Sequence, residues 1–119
     1  MNDCIFCKII KREAPATIVY EDDNCIAIIP IKQAQEGHTL VIPKNHSENI
    51  LDIEDNDLQT LIVAAKKIGQ GLMKEYNATG INLLHAAGKD AQQSVFHFHF
   101  HLIPRHAGDG MDWWVKKEL

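Results

Sequence analysis

The sequence predicts an α+β fold: a five-stranded antiparallel sheet packed by one long helix, with a short helix leading. Three observations carry this. Strand-like runs come in groups, three before one long amphipathic segment and two after it, an order that favours segregated α+β over a doubly wound parallel sheet. Only residues 58–76 sustain a helical period. The chain has 119 residues, 45% hydrophobic and 24% charged, which suits one globular domain over 1–119 with a real core.

Each element has its own signal. Residues 5–11 form a short helix, stopped before Pro15, because a residue preceding proline is pushed out of the helical region. TIVYED (17–22) is a strand and 22–24 a turn. CIAIIPI (25–31) is a buried strand disturbed by Pro30, and Cys25 belongs to its core. QEG (35–37) is a loop and HTLVIP (38–43) a third strand. Asp55 is placed to cap the long helix, with Asp57 in its first turn. Leu58, Leu61, Ile62, Ala65, Ile68, Leu72 and Tyr76 make its apolar stripe. Gly69 and Gly71 weaken it, which close packing on the sheet would explain, and Asn77 and Gly80 mark its end. INLLHA (81–86) is a strand, KDAQQ (89–93) a loop, and SVFHFHFHLIP (94–104) the last strand.

The composition excludes some functions. A net charge of -4 and a pI near 5.9 argue against a basic-patch nucleic-acid binder, while leaving room for a small anion in a local pocket. No apolar run approaches the roughly 20 residues that span a bilayer, and the start MNDCIFCKIIKRE lacks the order of a signal peptide. The expected location is cytoplasmic. Three cysteines in such a chain favour metal or core roles over disulfides.

The residues that ask for a function are His97, His99 and His101, in HFHFHLIPRH (97–106). On a strand, alternate side chains share one face, so the three imidazoles line up while Phe98, Phe100 and Leu102 turn toward the helix stripe. Neighbours along such a row are roughly 6.6 Å apart, too far for a tight bond between side chains in the same pose. Three readings fit: a polar solvent-facing edge, a three-histidine metal site, or an anion site in which one neutral imidazole attacks and the others manage charge. Cys4 and Cys7 form a Cys-x-x-Cys pair able to grip one tetrahedral zinc; free thiols in a short helix are the alternative.

His97-Phe98-His99-Phe100-His101-Leu102-Ile103, with Gly37-His38-Thr39-Leu40-Val41-Ile42-Pro43-Lys44 upstream, Gln93-Ser94-Val95 between and CIFCKII at the start, resembles the histidine-triad family in its bacterial nucleotide-binding branch. The resemblance runs through nearly the whole chain. It implies the family's fold and a hydrolase or transferase of purine nucleotides, cleaving nucleoside 5'-phosphoramidates or related AMP-linked substrates at the α-phosphorus without a catalytic metal. By the same resemblance His99 is the nucleophile, His101 holds the phosphate, His38 orients or buffers the nucleophile, and Ser94 donates toward the leaving group. The backbone around Gln93 and Ser94 would stabilise phosphoryl oxygens. Zinc-bearing relatives imply a structural zinc on Cys4, Cys7, His46 and His97. They also imply a homodimer whose C-terminal segments reach toward the partner's site, which would give Trp113 and Trp114 an interface role; packing on their own protomer is the alternative. His85 reads as structural or pocket-edge, and His106 as exposed.

Three positions depart from the family pattern. Pro30 stands where a ribose-binding aspartate is usual, Ala86-Ala87 where an asparagine is common, and Gln92 where a glycine often precedes the Gln-Ser pair. Reaction type is therefore better supported than nucleoside choice. Dinucleoside polyphosphate hydrolysis, or nucleotide binding with little turnover, are the competing functions.

Overall fold

A computed structural model describes residues 3–114. The long amphipathic segment is helix α2, Asp55–Glu75. Its buried side is Leu61, Ala64, Ala65, Gly69 and Leu72. Ile62 falls outside that stripe and is 39% exposed. The N-cap is Glu54 rather than Asp55, without a side-chain cap bond; Asp55 and Asp57 both lie in the first turn, where they complement the helix dipole. At the other end Asn77 takes a left-handed φ of 49°. The Ala78 N–H then reaches the Met73 carbonyl at 3.0 Å and the Asn77 N–H that of Lys74 at 3.3 Å, a double closure of the kind that terminates helices.

The short helix α1 is Ile5–Ile10. The strands are β1 (Thr17–Glu21), β2 (Cys25–Ile29), β3 (Thr39–Pro43), β4 (Gly80–Leu84) and β5 (Phe100–Arg105). All neighbours are antiparallel, in the order β1-β2-β3-β5-β4. β2 stops one residue before Pro30, which has no N–H to give a ladder. The β1–β2 turn is held by Asp22, whose carboxylate accepts from the Asn24 and Cys25 N–H groups at 2.7 and 2.9 Å.

The expected last strand is shortened at its start. Residues 94–99 lie outside the ladder, and β5 begins at Phe100. Only His101 of the three alternating histidines is sheet-paired, opposite Leu40 on β3 and Leu84 on β4. The loop expected at 89–93 contains a 3-10 turn, Lys89–Ala91.

The sheet is covered on both faces, which is why β2 and β3 are apolar at nearly every position. On one side Cys25, Val41, Phe98, Phe100 and Leu102 pack against Leu61, Ala64, Ala65 and Leu72 of α2. On the other Ile26, Ile28, Leu40 and Ile42 pack against Phe6 and Ile9 of α1. Each Val, Leu, Ile or Phe side chain among them contributes about 1.5–3 kcal/mol when fully buried. Of the two helix glycines, Gly69 faces the sheet, where a Cβ would meet Ile81 at 3.5 Å, while one on Gly71 would meet nothing within 4 Å. No helix among the described residues is long and apolar enough to cross a membrane.

Candidate functional site

Helix α1, the end of β3 and the segment before β5 converge on the sheet face away from α2. α1 carries Cys4 at its N-cap and Cys7 in its first turn, with Phe6 between them. Phe6 packs edge-on against His97 and His99, at ring-centroid distances of 5.8 and 5.2 Å. His97 is fully buried and His38 and His99 nearly so.

Hydrogen-bond partners assign a tautomer to each ring, because a carbonyl can only accept and a backbone N–H can only donate. His97 donates from Nε2 to the Pro43 carbonyl at 2.8 Å, so its Nδ1 carries a lone pair. His99 donates from Nδ1 to the His97 carbonyl at 2.8 Å, so its lone pair is on Nε2. His38 accepts at Nδ1 from the Ala34 N–H at 3.0 Å, so its proton is on Nε2. That Nε2–H donates to His101 Nδ1 at 2.9 Å, leaving His101 a proton on Nε2. The loop ending at Gly37-His38 thus sets the tautomer of a ring on β5.

Burial disfavours the charged form of each of these imidazoles. Desolvation pushes His101 down to about 4, with His99 and His38 adding to the effect. It also holds His99 and His38 below the ordinary histidine value. The rings are therefore neutral at physiological pH. His99 offers an unprotonated nitrogen beside a neighbour, His101, whose ring centroid is 5.0 Å away and which offers an N–H.

The lone pair of His97 points into a second cluster. Its Nδ1 lies 3.2 Å from Cys4 Sγ, 3.5 Å from Cys7 Sγ and 3.0 Å from His46 Nδ1. Cys7 Sγ is 3.4 Å from His46 Nδ1. All four donor atoms lie within 4.8 Å of one another. Metal–nitrogen bonds of about 2.0–2.1 Å and metal–sulfur bonds of about 2.3 Å bring tetrahedral donors to such separations, so this donor set fits a tetrahedral metal. The Pro43 carbonyl fixes the His97 tautomer whose Nδ1 lone pair faces the cluster, the arrangement a metal-binding histidine requires.

His38, expected to orient or buffer the nucleophile, is hydrogen-bonded through Nε2 to His101. Gln93 is a loop strut. Its amide donates to the Glu48 and Val95 carbonyls at 2.6 and 3.0 Å and accepts from Asn49 and the Gly88 N–H, while its own N–H goes to the Gly88 carbonyl. None of these groups is left for a phosphoryl oxygen. Ser94, next to it, is exposed. Pro30 and Ala86 fall at a strand end and in a loop, respectively. His106 donates from Nε2 to the Tyr76 carbonyl at 2.9 Å and is exposed. Trp113 lies against the Arg105 guanidinium, 5.1 Å from ring centroid to carbon, and Trp114 is 75% exposed. Sequence reasoning did not find the roles of Phe6 and the Ala34 N–H, since an apolar residue between cysteines and a backbone donor carry no pattern.

A family model described as the HIT domain matches residues 11–108. An uncharacterised HIT-like protein of Borreliella burgdorferi is 49% identical over 113 residues, 92% of this chain and 81% of its own length. An adenylylsulfatase of Arabidopsis thaliana is 35% identical over 118 residues, which span 99% of this chain and 59% of the plant protein. The crystal structure of a zinc-bound histidine triad family protein from Mycobacterium smegmatis superposes with a TM-score of 0.89 at 36% identity, covering 93% of this chain and 81% of that one. With the matching motifs, fold and site, these place the chain in the histidine triad (HIT) family.

Proposed function

We propose that this chain, as one domain over residues 1–119, hydrolyses or transfers the nucleotidyl group of nucleoside 5'-phosphoramidates or related AMP-linked compounds. The observation that carries the reading is the tautomer of His99: Nδ1–H is bound to the His97 carbonyl, which leaves Nε2 as a buried, unprotonated nucleophile. In the first step His99 Nε2 bonds to the α-phosphorus and the bond from phosphorus to the leaving nitrogen breaks. The departing amine takes up a proton from solvent, with the Ser94 hydroxyl donating a hydrogen bond toward it. In the second step water attacks phosphorus and returns a proton to solvent, the His99–phosphorus bond breaks, and AMP is released. Nε2–H of His101, directed by His38, donates to a phosphoryl oxygen as charge builds there. The adenylylsulfatase activity that names the plant relative supports an AMP-linked substrate.

Cys4, Cys7, His46 and His97 would hold a structural zinc, a reading the zinc-bound mycobacterial relative supports. Four protein ligands close the shell, so the metal supplies rigidity rather than an activated water. A homodimer is also proposed. β4 is an edge strand, and Leu83 on it is 45% exposed beside Ile62 and Val63 of α2, at 39% and 52%. A second copy pairing there would cover both the strand edge and the apolar strip.

The decisive assay is release of AMP from adenosine 5'-phosphoramidate, with adenosine 5'-phosphosulfate and a dinucleoside polyphosphate compared. Turnover by the natural chain that disappears in His99→Ala is the expected result. Tight AMP binding without turnover on any of the three would overturn it in favour of a binding protein.

A further inference from the structure

His85 follows the last residue of β4 and takes no part in the donor set or in the His38–His101 pair. Its ring is nevertheless tied at both nitrogens. Nδ1 lies 3.0 Å from the His99 carbonyl, which can only accept, so Nδ1 carries the proton. Nε2 lies 3.0 Å from the Ile50 N–H, which can only donate, so Nε2 accepts. The ring stacks on Phe98, 4.3 Å between centroids at 23°, and meets Phe100 edge-on at 5.9 Å. The segment that holds Ile50 also holds the residue before His99: the Phe98 N–H donates to the Ser47 carbonyl at 2.7 Å.

We infer that His85 is a positioning residue for His99, acting through the nucleophile's own backbone carbonyl. The inference rests on the reading of His99 as the nucleophile. His99 stands just outside the sheet ladder, which begins at Phe100, and its carbonyl oxygen takes the His85 Nδ1–H. That bond holds the carbonyl, and the Ile50 N–H keeps the His85 proton on the nitrogen that makes it. The stack on Phe98 sets the plane of the ring from which that bond is made. A misplaced carbonyl would turn the Cα–Cβ bond of His99 and carry Nε2 off the line of attack. In-line displacement tolerates little such error, since displacements near 1 Å can cost about a hundredfold in rate.

Two amides separate this role from a merely structural one. His85→Asn puts an N–H at the position of Nδ1 and so keeps the bond to His99, while losing the reach to Ile50. His85→Gln extends one bond further, keeping an acceptor for Ile50 and losing the Nδ1 donor. With adenosine 5'-phosphoramidate as substrate, the Gln variant should lose about tenfold to a hundredfold in kcat. Its KM should stay within about threefold, because positioning acts on the attack rather than on ground-state binding. The Asn variant should keep at least about half of the kcat, and both should keep the metal content of the natural chain. A Gln variant with natural kcat, or an Asn variant as slow as Gln, would overturn the inference. His99→Ala is run alongside: if it stays active, the reading of the nucleophile fails, whatever the His85 variants do.

Discussion

The Nδ1–H of His99 is bonded to the carbonyl of His97, 2.8 Å away, and the ring of that same His97 lies among the sulfurs of Cys4 and Cys7. One residue therefore serves the metal-type cluster with its side chain and the proposed nucleophile with its backbone. His46→Ala, which removes one donor of the cluster, is expected to reduce bound zinc from about one per chain to near zero. It should lower the melting temperature and reduce AMP release by about tenfold, as His97 loosens. Elemental analysis, calorimetry and the turnover assay check this. Natural turnover in protein stripped of metal would show that the two centres are independent.

His38 donates to His101 at 2.9 Å. Without it, nothing selects the Nε2–H tautomer of His101. His38→Ala is expected to lower kcat/KM roughly tenfold to a hundredfold, the scale typical of lost orienting partners. Nitrogen NMR should show His101 populating both neutral tautomers. A single unchanged tautomer would sink the idea that His38 directs it.

Acid should destabilise the fold through these buried rings. His101 titrates near 4 in the folded state because it is desolvated and sits near His99 and His38. The same ring in an unfolded chain titrates near 6.5. Below about pH 6.5 the unfolded state binds more protons, so stability rises with pH there and falls as pH drops from about 6.5 toward 4. His38, lowered by burial and by His99, adds in the same direction. Urea midpoints at pH 7.5 and pH 5 should differ, and His101→Gln should narrow the gap. An unaltered gap would assign acid sensitivity elsewhere.

Gly37 immediately precedes His38 and has φ +88°, with an added Cβ only 2.8 Å from the Tyr76 ring and 2.9 Å from Pro104. Gly37→Ala combines left-handed strain with overpacking, so a loss of about 2–4 kcal/mol is expected. Denaturant unfolding measures it. A loss below about 0.5 kcal/mol would mean that Tyr76 simply moves aside.

Leu83→Glu tests the proposed dimer. A charge on the exposed face of the edge strand β4 should convert the assembly to monomers in light scattering at micromolar concentration. An unchanged mass would remove this surface from the interface.

The legible parts of the molecule were those with local patterns. The α2 stripe, the proline stop of β2 and the packing of Phe98, Phe100 and Leu102 on the helix followed from period and residue type. The family resemblance supplied Cys4, Cys7, His46 and His97 as one group, and the fold gathers their donor atoms. Less visible was where the last strand starts. Alternating His and Phe reads as a strand from 94 onward, yet pairing with β3 and β4 begins only at Phe100 and His101. The place of Gln93 in the loop is hidden for a related reason. Its amide closes a loop against Glu48, Asn49 and Gly88, contacts made across more than forty residues or through a left-handed turn at Gln92. Such contacts leave no period in the sequence.

The late start of β5 has a consequence for the chemistry. A regular strand uses its carbonyls on its neighbours, rung by rung. By leaving His97 and His99 off the ladder, the chain frees two peptide oxygens in the middle of an apolar protein, and both are occupied by imidazole N–H groups. The irregular backbone is thus the proton-placing element of the site: it decides which nitrogen of His99 and which of His85 carries the proton.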